Sequence, residues 1–303
     1  MNHEIKRGNA MKITVFTPTY NRAYILPRTY ESIKKQHYSD FEWVIMDDGS
    51  VDNTMELVER WQKEGTVTIK YYKQNNHGRF SAFNNAKKYF EGDLIAFLDS
   101  DDYFLDGSIQ KLADTWNQIQ EPEKCSGIIA YMETKGGDIV GTGFPNGVIY
   151  ETIYRLYDKY RMKGDKFLAF RNDLIQKYEY PIFANEKFGG DSILFNQIND
   201  EYPMYLLREK ISFREYMEDS ITNNLSKFHM NSQNGMREHY KDALRHERYS
   251  KIRILKHCIG FVAFSKLTNR TFIQIIEETP KKLLTFLMYP IGILYVRKLK
   301  RGL

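Results

Sequence analysis

The 303-residue sequence predicts an α/β fold: a mostly parallel sheet flanked by helices, with a small mixed second half and a C-terminal helical tail. Three observations predict it. Short apolar runs of strand length alternate strictly with amphipathic helical stretches up to about residue 120, a pattern that calls for right-handed crossovers between parallel strands. Several of those runs stop at a polar cluster, and ligands of open α/β sheets bind beyond the carboxyl ends of the strands. Beyond residue 120 the patterning becomes hairpin-like, and the end of the chain turns apolar and basic.

Residues 12–17 read as a first strand, ended by Pro18. A helix follows over roughly residues 24–36, with Leu26, Tyr30 and Ile33 on one face. Residues 41–46 form a second strand, stopped by Asp47-Asp48-Gly49-Ser50. Asp52 is placed to cap a helix carrying Leu57, Val58 and Trp61. A third strand over residues 66–72 and a helix over 80–90 come next. Leu94-Ile95-Ala96-Phe97-Leu98 is the fourth strand, apolar throughout as a strand buried on both faces should be. A helix over about 107–119 closes this half. Residues 127–131 and 138–142 then read as strands joined by a Gly136-Gly137 turn. Residues 191–199 and 235–248 have helical patterns. Trp61 and Trp116 fall on apolar helix faces and are expected in the core.

The expected units are a compact domain over residues 11–230, divided into halves at 11–105 and 106–230, and a helical extension over 231–303. In the extension, residues 283–296 are almost wholly apolar, broken by Thr285, Pro290 and Gly292. Lys281 and Lys282 flank one side, and Arg297, Lys298, Lys300 and Arg301 the other. The run falls short of the ~20 apolar residues that a membrane span needs. Basic flanks with interior Tyr289 and Tyr295 suit a helix lying in anionic headgroups; a helix docked on the core is the plainer alternative. Residues 252–264 are similar in character.

Composition is that of a globular protein, 42% hydrophobic and 27% charged, and the length supports a sizeable core. The net charge of +5 comes largely from the tail. An anionic membrane surface is therefore the expected partner, and nucleic acid is not. Cys125 and Cys258 lie far apart with no zinc spacing, which fits a reducing cytoplasmic setting. Residues 1–10 are polar, lack a secretory apolar core, and read as a poorly ordered lead-in.

Parallel strands deliver their carboxyl ends to one edge, so three polar segments should meet there: Thr17–Arg22, Asp47–Ser50 and Asp99–Asp102. Asn75–Arg79 supplies a fourth. Asp99, Asp101 and Asp102 repel one another unless a cation or hydrogen-bond donors compensate. Hard oxygen ligands of this kind suit Mg²⁺ or Mn²⁺ together with substrate phosphates. An acidic turn that caps the following helix, with Asp106 as a second cap, is the alternative. One edge would then offer an aromatic face, a carboxylate for a base edge, a guanidinium and metal ligands, a set suited to a nucleoside diphosphate. No phosphate-cradling or dinucleotide glycine fingerprint is present; Gly141-Thr142-Gly143 lacks the third glycine. The histidines show no metal-binding spacing, and His229 is at most a late ligand.

These segments resemble the inverting glycosyltransferases of family 2, with the GT-A fold. The resemblance rests on Phe16–Arg22, Trp43–Ser50 with Asp52 and Thr54, Gly78-Arg79 with Asn84, and Phe97–Asp102. It is strong over residues 11–105, moderate to about 230 and absent from the tail. It implies that Pro18 and Tyr20 line a base pocket, that Asp48 accepts from the uracil N3–H, and that Arg79 lies against the base. It further implies that Asp99 holds the ribose and Asp101 ligates Mn²⁺ or Mg²⁺ on the diphosphate. A late carboxylate serves as general base in the family, and the matching segment is Asn185–Ser192. Asp191 is the candidate base, although a plain helix cap would also place an aspartate there. Gly190 stands where the family often has Glu, so Glu186 remains an alternative base. The implied activity is metal-dependent, inverting sugar transfer from a nucleotide-sugar donor, UDP-linked by expectation, to a glycan or lipid-linked acceptor hydroxyl. Polysaccharide or glycolipid synthesis at the inner face of the membrane would be its setting. A sugar nucleotidyltransferase and a non-catalytic nucleotide-binding scaffold of a membrane complex are the alternatives.

Overall fold

A computed structural model describes residues 11–187, 189–215, 225–245 and 247–301. The lead-in expected over residues 1–10 lies outside the described residues. The strands are β1 (Ile13–Thr19), β2 (Phe41–Asp47), β3 (Ile69–Lys73), β4 (Leu94–Phe97), β5 (Tyr103–Phe104), β6 (Gly127–Glu133), β7 (Tyr150–Glu151), β8 (Phe167–Arg171) and β9 (Met204–Phe213). They form one nine-stranded sheet in the order β3-β2-β1-β4-β8-β6-β9-β5, with β7 on β9. β1 through β4 pair in parallel, as the alternation predicts. β8 runs antiparallel between β4 and β6, while β9 pairs in parallel with β6. The α/β fold with a parallel half and a mixed half is therefore as expected.

Helices α1 (Leu26–Lys34), α2 (Thr54–Glu64), α3 (Arg79–Ala86) and α4 (Ser108–Gln118) cover the parallel half. Helices α5 (Ile153–Asp158), α6 (Asn172–Lys177) and α7 (Ser192–Glu201) belong to the mixed half. Alternate residues of the strands feed two cores. Val15, Trp43 and Ile45 pack with Tyr30 of α1 and Trp61 of α2, whose rings stack at 4.3 Å. Trp116 lies in the same core, so both tryptophans are core residues as expected. Phe16, Val44 and Met46 face the other way, against Phe83 and Leu194. Strands buried on both faces stabilise the sheet by about 25 cal/mol for each Å² of apolar surface removed from water.

Several boundaries differ from expectation. Pro18 does not end β1, which keeps its register with β2 through Thr19. The amide absent at residue 18 is one that would face Leu98, and the Thr17 hydroxyl donates to the Leu98 carbonyl instead (2.8 Å). β3 starts at Ile69 rather than Thr66, and the helix expected over 80–90 shortens to α3 and a 3₁₀ turn at Lys87–Tyr89. Asn53, not Asp52, is the N-cap of α2. Asp52 instead ties the helix start to the first loop, accepting from Thr54 N and Ala23 N. Residues 138–142 do not form a strand. A bridge from Glu133 to Ile139, with Thr134 N donating to the Asp138 carbonyl and Val140 N to the Met132 carbonyl, is what remains of the expected hairpin, because β8 takes that edge of β6 over Gly127–Ala130.

Five helices complete the described chain: α8 (Leu225–Asn231), α9 (Gln233–Arg245), α10 (Lys251–Leu267), α11 (Phe272–Glu278) and α12 (Lys282–Arg301). α12 packs on α10, and α10 on α9. Gly292 permits the close crossing, since a Cβ there would lie 2.5 Å from the Val262 Cβ. No helix among the described residues is long and apolar enough to cross a membrane.

His257 of α10 is buried, and neither ring nitrogen has a hydrogen-bond partner among the described residues. Burial pushes it down to about 3, and pushes its neighbour His239 down to about 4. Between those values and the ordinary 6.5, the unfolded chain binds protons that the folded chain does not. Stability therefore falls as pH drops through that window, by about 2 kcal/mol per histidine at pH 5 relative to pH 7. Urea unfolding at the two pH values measures the loss, and His257→Phe is expected to remove roughly half of it. An equal pH dependence in wild type and variant would contradict this assignment.

Candidate active site

The carboxyl edge of the parallel strands is laced together by its own loops. The Thr19 carbonyl accepts from Asp48 N (2.8 Å). Asn21 N donates to Ser50 Oγ (2.8 Å), and Val51 N donates back to Asn21 Oδ1 (2.8 Å). Tyr20, at the tip of the first loop, is 45% exposed. Pro18, Arg79 and Asp99 line one pocket together with Phe97 and Tyr180.

The two aspartates after β2 divide their work. Asp47 closes its own turn, accepting from Ser50 N (2.7 Å) and the Tyr71 hydroxyl (2.5 Å). Asp48 is buried and shapes the next loop. Its Oδ1 accepts from Gln74 Nε2 (2.7 Å) and His77 N (2.9 Å), and its Oδ2 from Gly78 N (2.8 Å). Those bonds set the start of α3, which presents Arg79. Gly78 has φ +92°, and a Cβ there would lie 2.4 Å from the Lys187 carbonyl oxygen. Glycine is required on both counts.

Beyond β4, the turn from Asp99 to Asp102 is closed by Asp102 N donating to the Asp99 carbonyl (3.0 Å). Thr29 of α1 pins it, its hydroxyl shared between the carbonyls of Ser100 and Asp102. Oxygens of Asp99, Asp101 and Asp102 lie within 4.8 Å of one another. Arg214, just past β9, compensates one side of this cluster. Its Nη1 lies 3.2 Å from Asp99 Oδ2 and 2.9 Å from Asp102 Oδ2. Burial works against the Asp99 charge, but Arg79 and Arg214 outweigh it and hold this carboxyl below its usual range. Burial and the Asp99 charge together push Asp101 up. Asp101 makes no ion pair with a described residue, and Asp102 Oδ1 is buried without a hydrogen-bond partner. The donor set therefore fits a divalent cation: three hard oxygens, with Asp99 and Asp102 paired to Arg214 and Asp101 reached by Arg214 and Arg22 only at longer range.

Arg79 links this turn to the second half. Its Nη2 lies 3.5 Å from Asp99 Oδ1, and its Nη1 lies 3.8 Å from Asp191 Oδ1. Asp191 occupies the N-cap position of α7, yet its side chain makes no capping bond. Its Oδ1 has no hydrogen-bond partner among the described residues. Asn84 positions this region through a double clamp on Tyr180, accepting from its N (3.0 Å) and donating to its O (2.8 Å). The Tyr180 hydroxyl in turn donates to the Asp191 carbonyl (3.1 Å). Glu186 is engaged elsewhere. Its Oε1 accepts from Asn234 N (2.8 Å) and Nδ2 (2.9 Å), and its Oε2 from Gly235 N (2.7 Å), satisfying amides at the start of α9. His229 lies near enough to Asp191 to feel its charge, but it is not part of the carboxylate group.

The edge thus gathers Pro18, Arg79, Asp99, Asp101 and Asp191, with Tyr20 at its rim and Asp48 beneath the loop. Sequence reasoning missed Arg214, because the Arg-Glu-Lys inside β9 hides that strand's apolar pattern. It also missed the structural role of Glu186.

The sequence matches the family "Glycosyl transferase family 2" over residues 14–197. A Campylobacter jejuni protein named GalNAc(5)-diNAcBac-PP-undecaprenol β-1,3-glucosyltransferase is 26% identical over 218 residues, 71% of this chain and 69% of that one. The Staphylococcus aureus poly(ribitol-phosphate) β-N-acetylglucosaminyltransferase TarS is 31% identical over 144 residues, 47% of this chain and only 24% of that protein. The crystal structure of TarS residues 1–349 in complex with UDP-GlcNAc shares the fold with a TM-score of 0.61 at 18% identity, over 96% of this chain and 92% of that one. The mannosyltransferase PcManGT from Pyrobaculum calidifontis, in complex with GDP-Man and Mn²⁺, shares it with a TM-score of 0.56 at 14% identity, over 95% and 81% of the two chains.

Proposed function

The chain belongs to glycosyl transferase family 2, and from that premise we propose that it is a metal-dependent, inverting enzyme transferring a sugar from a nucleotide-sugar donor, UDP-linked, to an acceptor hydroxyl. The observation that supports this reading most is Arg79, which stands between the acidic turn at Asp99 and the Asp191 carboxylate, whose Oδ1 accepts no hydrogen bond from a described residue. One guanidinium thereby separates a place for a diphosphate from a place for a base.

In this reading, residues 11–105 bind the nucleotide. Pro18 and Tyr20 flank the base, and Arg79 lies beside it. Asp48 accepts from the base N–H; its carboxylate has about four acceptor positions, and the loop uses three. Asp99 receives the ribose hydroxyls. Asp101 would hold Mn²⁺ or Mg²⁺, with Asp99 or Asp102 completing the set; when bound, the ion neutralises charge on the departing diphosphate. The Mn²⁺ complex of a protein of the same fold supports that choice. Asp191 takes the proton from the acceptor hydroxyl, which is a poor nucleophile until it is deprotonated. Glu186 is set aside as base, because both its oxygens are bonded to the start of α9.

Residues 106–230 build the acceptor side, and 231–303 form an extension facing an anionic membrane. The acceptor is a glycan or a lipid-linked sugar at the cytoplasmic face, in polysaccharide or glycolipid synthesis. The named relatives, one acting on an undecaprenol-linked sugar and one on a polymer, support that class of acceptor. The test is nucleotide release by purified protein from a panel of UDP- and GDP-sugars with Mn²⁺ or Mg²⁺. One donor is expected to release its nucleoside diphosphate and to yield a product of inverted anomeric configuration by NMR. UDP binding by calorimetry without turnover of any donor would mark a scaffold instead. Pyrophosphate release from a nucleoside triphosphate would mark a nucleotidyltransferase.

A further inference from the structure

We propose that α12, with the start of α11, is a docking face that lies in the headgroup layer of an anionic membrane; the inference rests on the membrane setting proposed above. The helix has two different apolar stripes. Leu284, Met288 and Ile293 turn inward and pack with Cys258, Phe261 and Val262 of α10. Leu283, Phe286, Leu287, Ile291 and Leu294 stand exposed at helical spacing on the other side, Leu283 at 73% and Leu294 at 59%. The patch continues onto α11, where Phe272 and Ile273 are also exposed and the rings of Phe272 and Phe286 meet at 6.1 Å. Isolated exposed apolar residues are ordinary, but a contiguous row marks an interaction surface.

Charge identifies what covers it. Lys281 and Lys282 precede the exposed row, and Arg297, Lys298, Lys300 and Arg301 follow it. None of the six makes an ion pair with a described residue. By contrast Arg237, Arg245 and Arg253 on the neighbouring helices, and Arg248 and Arg270 in the turns between them, are each paired with carboxylates. An apolar row with uncompensated cations at both ends matches acyl chains beneath anionic headgroups. It does not match a second copy of itself, which would bring like charges together. The row spans about 17 Å at 1.5 Å per residue, against ~30 Å for a hydrocarbon core, so the helix lies in the plane of the interface. The lipid face also has a packed path to the site: α12 lies on α10, α10 on α9, and α9 on α7, whose N-cap residue is Asp191.

The experiment uses the full chain, sedimented with vesicles of phosphatidylcholine alone or mixed with phosphatidylglycerol. Wild type is expected to pellet with the anionic vesicles and to be released by high salt. Leu283→Ser/Leu287→Ser/Ile291→Ser changes only exposed side chains, so it should keep the wild-type melting curve while losing the vesicles. Lys298→Gln/Lys300→Gln should weaken anionic binding roughly fivefold per charge removed. Wild type left in the supernatant, or a serine variant that still pellets, would overturn the docking face. So would a concentration-dependent dimer that the serine variant dissolves, since a second copy would then be the occupant. Nucleotide release measured in solution separates the two readings. Release without vesicle binding removes the docking face and leaves the transferase standing; vesicle binding without release does the reverse.

Discussion

Asp191→Asn is expected to lower kcat for sugar transfer by about 10²–10⁴-fold while leaving donor affinity near the wild-type value. The argument is geometric. Asp191 Oδ1 has no hydrogen-bond partner among the described residues, and the charge beside it is Arg79 at 3.8 Å. The backbone of the residue is fixed by the Tyr180 hydroxyl, so the amide variant keeps the position and loses the proton acceptor. Glu186→Gln is the control that separates chemistry from structure. Its oxygens bond to the amides of Asn234 and Gly235, and its loss should appear in unfolding midpoint more than in kcat. Stopped-time assays across acceptor concentrations give the kcat and KM terms separately. An unchanged kcat in Asp191→Asn would move the base elsewhere.

Asp101→Asn is expected to abolish the coupling between metal and donor. With wild type, UDP plus Mn²⁺ at 100 times the dissociation constant should add about 2.7 kcal/mol of stability. The variant should show little added stabilisation by Mn²⁺ in the presence of UDP, and its turnover should fall to near background. The reason is the uneven compensation of the cluster. Arg214 lies within 3.2 Å of Asp99 and Asp102, whereas Asp101 forms no close ion pair with a described residue and feels Arg214 and Arg22 only at longer range. Removing Asp101 takes away the carboxylate most free to ligate, and removing Arg214 does not mimic it. Full turnover and full metal-dependent stabilisation in Asp101→Asn would refute the assignment.

Much of the sheet edge is legible in the sequence alone. Phe16–Arg22, Asp47–Ser50 and Phe97–Asp102 are contiguous stretches whose strand, stop and polar tip are written in adjacent residues. β8 and β9 were not legible. Phe167–Arg171 is short, and Arg208-Glu209-Lys210 interrupts the apolar pattern of β9, so their strand character comes from the partners β4 and β6 supply. The hairpin expected at 138–142 shrinks to a bridge at Glu133 and Ile139, because β8 already occupies that edge of β6 over Gly127–Ala130.

The chain by itself determined the parallel half, the edge that carries the polar segments, and the two-faced basic and apolar character of the last helix. Each of these depends on residues within a few positions of one another, where periodicity and strand length act. Tertiary structure alone decided that Arg214 enters the acidic turn, that Glu186 binds α9 while Asp191 Oδ1 keeps only Arg79 beside it, and which stripe of α12 meets α10. Those outcomes join residues far apart in the chain, such as Arg214 and Asp99 at 115 positions, and the chain's local pattern carries no record of such contacts until packing and charge compensation bring them together.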